Sequence, residues 1–407
     1  MKAALRNYAI VTGAYWAFTV TDGALRMLVL LHFNQLGYAP VELAFLFLLY
    51  EFFGIATNLI GGWLAARVGL KATLTAGLAL QVVALFLLSL LGASWMRAAS
   101  VAWVMGAQAL SGIAKDLTKM SAKSAVKRLV PTDASSTLFR WVAALTGSKN
   151  ALKGVGFFVG GALLGWLGFR ASLWAMAMAL TLAGVLAQVS LPSEMGRAKA
   201  RAKFTELFAK SRAVNVISAA RFFLFGARDI WFVVGVPVFL SVHVRWGFAK
   251  VGSFLALWVI GYGVVQSIAP SLLGRTSDRA PGARTAQLLA FLLAAVTGVV
   301  AAAVAASVAP SLVILLGLGV FGCVFALNSS IHSYLILAYS DADDVATNVG
   351  FYYMANAGGR LVGTLLSGVL YQVAGLAGCL WGSAAFALAA GGLSLLLPAH
   401  EELGSQS

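Results

Sequence analysis

Long apolar segments recur along almost the whole chain, near residues 8–33, 41–66, 72–94, 98–118, 138–166, 171–192, 214–241, 250–273, 286–307, 310–338, 347–374 and 376–397. About 20 apolar residues in helical form cross the hydrocarbon core of a bilayer, and each of the twelve segments is long enough. Lipid offers no partner to a backbone N–H or C=O, so segments of this kind cross it as helices, whose hydrogen bonds close internally. Pro40, Pro131, Pro192, Pro281, Pro310 and Pro398 stand at or near segment ends, where a missing N–H and a fixed φ stop a helix. Composition agrees: 60% of the residues are hydrophobic and 11% charged. Soluble domains carry about 25% charged residues, so water is not the solvent for most of this surface. The expected fold is an all-α polytopic membrane protein with twelve transmembrane helices.

The connections carry the topology. With the N-terminus inside, seventeen Lys and Arg fall on the cytoplasmic side and four (Arg97, Arg170, Arg245 and Lys250) outside. Positive residues concentrate in short cytoplasmic loops, so both termini are expected in the cytoplasm and the chain in the inner (plasma) membrane, as a multi-pass protein. The longest connection, 193–213, is basic and cytoplasmic; it divides an N-terminal six-helix half, 1–192, from a C-terminal half, 214–407. Within it, Lys203 to Lys210 has an apolar face and basic ends. It is open to two readings, an amphipathic helix on the inner leaflet or a solvated linker. The formal net charge of +15 therefore does not call for nucleic acid as a partner, because the cations sit in short loops and inside the spans.

Eight cations remain within the segments: Arg26, Lys115, Lys119, Lys149, Lys153, Arg221, Arg228 and Arg360. Four acids share the interior, Asp22, Glu51, Asp116 and Asp229, which leaves it net positive. A charge at the bilayer centre costs roughly 2.5–3.5 kcal/mol even on the mildest scale, so these groups must face water, one another or an anionic guest. The third, sixth, ninth and twelfth segments carry no charge, and the tenth offers Asn328, Ser329, Ser330, His332 and Ser333 instead. Lys115 and Lys119 are four residues apart, Lys149 and Lys153 are four apart, and Arg221 and Arg228 are seven apart; each pair shares a helix face. Cations crowded on one face repel unless something negative lies between them. Guanidinium forks match phosphate-like oxyanions, and lysine adds point charge. The eight cations are candidate binding groups for a small anionic substrate, and Asn328 and His332 are candidate polar lining. The four acids are candidate proton-coupling or ion-pairing groups.

Other readings stay open at single positions. Lys119, Lys149 and Arg360 lie near enough to the inner surface to snorkel, whereas Lys115 and Lys153 lie deeper. Arg228 with Asp229, and Asp22 with Arg26, are spaced to form structural ion pairs. Glu51 is open to a neutral packing role, and His332 to that of a satisfied helix residue. Cys323 and Cys379 fall inside apolar segments and read as small packed hydrophobes. No His-rich, Gly-x-Ser-x-Gly or carboxylate-cluster motif occurs, so no catalytic residue, metal or cofactor is expected.

The halves echo each other. Gly62-Trp-Leu-Ala-Ala-Arg67-Val-Gly69-Leu-Lys71 and Gly274-Arg-Thr-Ser-Asp278-Arg279-Ala-Pro-Gly282-Ala-Arg284 share the pattern Gly-x-x-x-(Asp)-Arg-x-Gly-x-(Lys/Arg), with one extra residue in the second. Tyr50 and Tyr262 each precede the opening glycine by twelve residues, and Gly156-x-x-x-Gly160 is repeated as Gly359-x-x-x-Gly363. These patterns resemble the major facilitator superfamily, built from two parallel six-helix repeats that are each a three-plus-three inverted repeat. The resemblance implies two pseudo-symmetric halves, alternating access around a central cavity lined by the first, fourth, seventh and tenth helices, and an inner-side conformational latch at Gly62, Arg67, Gly69, Asp278 and Arg279. Ala66 stands where the family usually has an aspartate, which puts the first latch in question. Gly156-Phe-Phe-Val-Gly160-Gly161 resembles the family's antiporter motif, with Phe157 replacing its proline.

Within that superfamily, longer stretches resemble the organoarsenical efflux permeases of the ArsJ type. They are Tyr15-Trp-Ala-Phe-Thr-Val-Thr-Asp-Gly-Ala-Leu-Arg26, Ser111-Gly-Ile-Ala-Lys-Asp-Leu-Thr-Lys-Met-Ser-Ala-Lys123, Thr146-Gly-Ser-Lys-Asn-Ala-Leu-Lys-Gly154, Phe225-Gly-Ala-Arg-Asp-Ile-Trp231 and Leu255-Ala-Leu-Trp-Val-Ile-Gly-Tyr-Gly263. The resemblance implies export of 1-arseno-3-phosphoglycerate and arsenate resistance, in functional partnership with a glyceraldehyde-3-phosphate dehydrogenase that makes the ester. A phosphate and an acyl-linked arsenate on one molecule suit a positive cavity. The scarcity of cysteines suits an oxyanion ester better than thiol-seeking trivalent arsenic. Another organic phosphate or organic anion is the alternative substrate.

Overall fold

The computed structural model describes residues 2–92, 94–129, 135–192, 211–273, 282–307, 310–339 and 345–398. Its elements are α1 (Lys2–Gln35), α2 (Pro40–Leu46), α3 (Leu48–Val68), α4 (Leu70–Ser89), α5 (Arg97–Leu129), α6 (Ser135–Ser190), α7 (Arg212–Phe232), α8 (Gly235–Val242), α9 (Phe248–Leu273), α10 (Ala283–Ala305), α11 (Pro310–Ala338) and α12 (Val345–Ser394). Among the described residues, nine helical stretches are long and apolar enough to cross a membrane. Two of these, Ser148–Ser190 and Asn348–Ser394, have double length. Each is divided at one glycine in the left-handed region, Gly168 with φ 75° and Gly375 with φ 61°. A side chain at either φ would clash with its own backbone, so the expected loops near 167–170 and 375 shrink to single-residue corners. The charged α5 completes the set of twelve crossings.

Two crossings are broken within their length. α2 gives way to α3 at Phe47, and α7 gives way to α8 at Val233 and Val234. Pro237 explains the second break, since its ring opposes the carbonyl four residues earlier. The N–H groups of Val234 and Gly235 are then satisfied by the buried Ser367 hydroxyl, at 3.1 and 3.2 Å, as a broken helix at membrane depth requires.

The described residues group into two compact units, one from Met1–Gly37, Leu49–Lys203 and Trp246–Ile260, the other from Tyr38–Leu48, Phe204–Arg245 and Gly261–Ser407. α2 packs with the second unit, where Gly368 of α12 leaves room for Ala44 and Pro40, and the first part of α9 packs with the first unit, where Gly154 and Gly161 of α6 meet Ala256 and Phe248. The basic linker 193–210 lies outside the described residues, as does the reading of Lys203 to Lys210 as a helix.

Both units use the repeated glycine pair in the same way. In the first, a methyl on Gly156 would lie 2.5 Å from the Val20 carbonyl of α1, and one on Gly160 would strike Ala24. In the second, a methyl on Gly359 would strike the Phe222 carbonyl of α7, and one on Gly363 would lie 2.8 Å from the Gly226 carbonyl. α6 and α12 thereby lie backbone to backbone against α1 and α7, the helices that bear Asp22, Arg26, Arg221, Arg228 and Asp229. The charge-free segments present apolar side chains outward, among them Phe86, Trp174, Leu182, Leu292, Val299 and Trp381.

Candidate functional site

In the first unit, charge converges from α1, α3, α5 and α6. Arg26 of α1 forms an ion pair with Glu51 of α3 at 3.0 Å. The expected Asp22–Arg26 pair is not what forms: the Asp22 carboxylate accepts the Tyr50 hydroxyl at 2.8 and 3.0 Å. Position i+4 on α1 put Arg26 on the right face, but the side chain reaches across to α3, where Glu51 is fully buried and has greater need of a counter-charge. Asp116 of α5, also fully buried, takes Lys119 at 2.5 Å and the Thr57 hydroxyl at 2.7 Å, and Lys119 also donates to Asn58 Oδ1 at 2.5 Å. Lys115 differs. Its ammonium lies 4.1 Å from the centre of the Tyr50 ring, and among the described residues it has no carboxylate at ion-pairing distance. Lys149 and Lys153 stand half-buried on α6, Lys153 being 5.7 Å from the Phe157 ring centre.

In the second unit, Asp229 of α7 is shared by two arginines. Arg228 reaches one carboxylate oxygen at 2.5 Å and Arg360 of α12 the other at 3.1 Å. Arg221, one face along α7, is 5% exposed and has no carboxylate partner among the described residues. Neutral groups hold it: Asn356 Oδ1 at 3.0 Å, and the carbonyl and hydroxyl of Ser329, each at 3.1 Å. Its guanidinium stacks 3.9 Å from the Phe225 ring centre and 5.0 Å from that of Tyr352. Asn328 and His332, four residues apart on α11, are fully buried, and their side-chain polar atoms find no hydrogen-bond partner.

Six of the eight cations fall into two kinds. Arg26, Lys119, Arg228 and Arg360 are neutralised by carboxylates, whereas Lys115 and Arg221 rest on aromatic faces and keep their charge. Removing a guanidinium from water costs several kcal/mol unless an anion or strong acceptors compensate, and the acceptors around Arg221 are all neutral. The aromatic and amide neighbours of these charges, Tyr50, Phe225, Tyr352, Asn58 and Asn356, are not among the candidate site residues read from sequence; Tyr50 has its place in the repeat and Phe225 its place in the stretch Phe225 to Trp231. Among the latch residues, Gly69 holds φ 99° at the turn between α3 and α4, a conformation that favours glycine. The side chains of Gly62 and Arg67 lie outside those described, as do Asp278 and Arg279. No group of three potential metal ligands occurs among the described residues.

The family model described as Major Facilitator Superfamily matches residues 11–333. A crystal structure of a bacterial homologue of the iron transporter ferroportin, in an inward-facing state, is similar at 14% identity, with 97% of this chain and 98% of that chain covered and a TM-score of 0.73. A POT family transporter in complex with a thioalcohol-conjugated peptide is similar at 14% identity, with 96% and 95% covered and a TM-score of 0.75. At that identity the likeness speaks for the fold. No curated protein sequence matches. The family match takes in most of the chain and both structural relatives share its architecture, so the protein is a multi-pass membrane transporter belonging to the major facilitator superfamily.

Proposed function

We propose that this transporter exports an anionic organoarsenical, 1-arseno-3-phosphoglycerate, across the inner membrane by alternating access and so confers arsenate resistance. The observation that carries the reading is that Lys115 in one unit and Arg221 in the other have no carboxylate at ion-pairing distance among the described residues. Each leaves positive charge available to an anionic substrate. The ArsJ-type stretches point to the arsenical among organic phosphates, and to a glyceraldehyde-3-phosphate dehydrogenase as the enzyme that forms it. Both termini are placed in the cytoplasm on the charge bias of the loops. Moving an anion out of an inside-negative cell is downhill by roughly 2.3 kcal/mol per charge per 100 mV, so export needs no coupled ion. Asp22 and Asp229 are the acids to examine for proton exchange, and the latch is assigned to the inner-loop residues Gly62, Arg67, Gly69, Asp278 and Arg279.

The test is arsenate resistance in cells carrying the transporter with and without the dehydrogenase, together with uptake into everted vesicles supplied with glyceraldehyde 3-phosphate, NAD and arsenate. Resistance and uptake that require both proteins are expected. Uptake of 3-phosphoglycerate with no response to arsenate would move the substrate to another organic phosphate.

A further inference from the structure

We propose that Tyr50 is a positioning residue for the substrate: its ring carries the Lys115 ammonium and holds it in place without neutralising it. The proposal rests on reading Lys115 as a substrate-binding group.

Tyr50 is fixed from three sides. Its side chain is buried, and its hydroxyl donates to both oxygens of Asp22, which sets the plane of the ring. Its backbone is held by Gly112 of α5, where an added methyl would lie 3.0 Å from the Tyr50 Cα and closer still to its carbonyl oxygen. Gly112 and Lys115 are three residues apart on α5, so the close approach at Gly112 brings Lys115 onto the same ring. Gly54, one turn beyond Tyr50, supplies the space: a methyl there would lie 3.3 Å from the Lys115 ammonium and 3.6 Å from an Asp116 carboxylate oxygen, so Asp116, itself paired with Lys119, also lies near Lys115. Arg26 also lies near the ring, its guanidinium carbon 5.5 Å from the centre, but Glu51 draws it away by a 3.0 Å ion pair.

The negative face of an aromatic ring attracts a cation without contributing a counter-charge. A carboxylate in the same place would hold Lys115 as firmly and spend its charge, as Asp116 does for Lys119. The ring therefore solves a specific problem, keeping a lysine ordered inside the membrane while leaving its charge for the substrate.

The experiment replaces Tyr50 with phenylalanine and then with phenylalanines bearing one, two and three ring fluorines, introduced by nonsense suppression in the full-length chain. Shape is kept while the negative face of the ring is withdrawn stepwise. The readout is KM and maximal rate per transporter for 1-arseno-3-phosphoglycerate uptake into everted vesicles. Tyr50→Phe loses the hydroxyl that sets the ring plane, so it is expected to raise KM and serves as the reference for the fluorinated series. KM should then climb with fluorination to about tenfold, equivalent to about 1.4 kcal/mol, with the maximal rate changing less than twofold. In a Lys115→Gln background the same series should leave KM flat. A flat series with Lys115 present, or an equal climb without it, overturns the proposal. If Lys115→Gln alone leaves KM unchanged, the reading of Lys115 as a binding group falls, and the role of Tyr50 with it. If Lys115→Gln raises KM while the series stays flat, only the role of Tyr50 falls. Should the vesicles take up 3-phosphoglycerate in place of the arsenical, the substrate assignment falls and the same series is read with that probe.

Discussion

In the N-terminal unit the tyrosine twelve residues ahead of the inner-loop glycine, Tyr50, binds Asp22 and carries Lys115; in the C-terminal unit its counterpart, Tyr262, packs 5.5 Å from the Phe325 ring. The C-terminal cation that lacks a carboxylate sits elsewhere, Arg221 on α7 between Phe225 and Tyr352. Backbone packing, by contrast, is repeated faithfully: Gly156 and Gly160 lie against α1 as Gly359 and Gly363 lie against α7. Helix packing is the part of the duplication that both units keep, while the charged and aromatic positions differ. The shared solution is chemical: each unit pairs some cations with acids and also sets a cation on an aromatic face, Lys115 on Tyr50 and Arg221 on Phe225.

The largest expected effect breaks the arginine-rich side of that comparison. Asp229→Ala strands both Arg228 and Arg360, and removing the shared member of a buried ion pair costs about 3–5 kcal/mol. Protein level in the membrane and melting temperature should fall well below those of Arg228→Ala, which leaves Asp229 with Arg360. On sequence alone, deleting Arg228 and Asp229 together would be expected to restore protein level. The shared carboxylate changes that expectation, because the double variant also takes from Arg360 its ion pair with Asp229. Full restoration in the double variant, measured by fluorescence-detected size exclusion, would show that the triad is not a structural unit.

Next come the glycines. Gly156→Ala and Gly359→Ala should each cost roughly 1–3 kcal/mol, since a methyl at either position meets a carbonyl across the helix pair. Melting temperatures that fall in one and hold in the other would break the packing symmetry of the units. That symmetry was legible before any coordinates, because Gly-x-x-x-Gly carries its spacing in the sequence and each segment carries its apolarity. The site was legible only in outline. Residue type and helical period named Arg26, Glu51, Asp116, Lys119, Arg228, Asp229 and Arg360 as charges needing company. Which partner each took depended on neighbouring helices, as the choice of Glu51 over Asp22 by Arg26 shows. The aromatic supports were hidden for a plainer reason. A chain with 25 phenylalanines and 10 tyrosines gives no sign of which ring lies under a cation.

A smaller effect belongs to one unit alone. Arg170, just past the corner at Gly168, donates to the carbonyls of Ser89 and Leu91 at the end of α4, both at 3.0 Å. It is exposed, so Arg170→Ala should lower thermal stability by roughly 0.3–1 kcal/mol, as for other cations at helix C-termini, and leave transport KM unchanged. The C-terminal corner at Gly375 is followed by Leu376, Ala377 and Gly378 and offers no such cap. A change in KM for Arg170→Ala would show that this outer loop reaches the substrate.

The central claim is that cations without carboxylate partners bind the anion and paired cations hold the fold. The most direct measurement is KM for 1-arseno-3-phosphoglycerate uptake into everted vesicles, normalised to transporter content, for Lys115→Gln, Arg221→Gln and Arg228→Gln. A charge-assisted hydrogen bond to a buried anion is worth about 1.5–3 kcal/mol, so KM should rise roughly ten- to hundredfold in the first two. Arg228→Gln should lower protein level and keep KM within about threefold. The opposite pattern, a large rise in KM for Arg228→Gln with Lys115→Gln and Arg221→Gln unaffected, would contradict the claim.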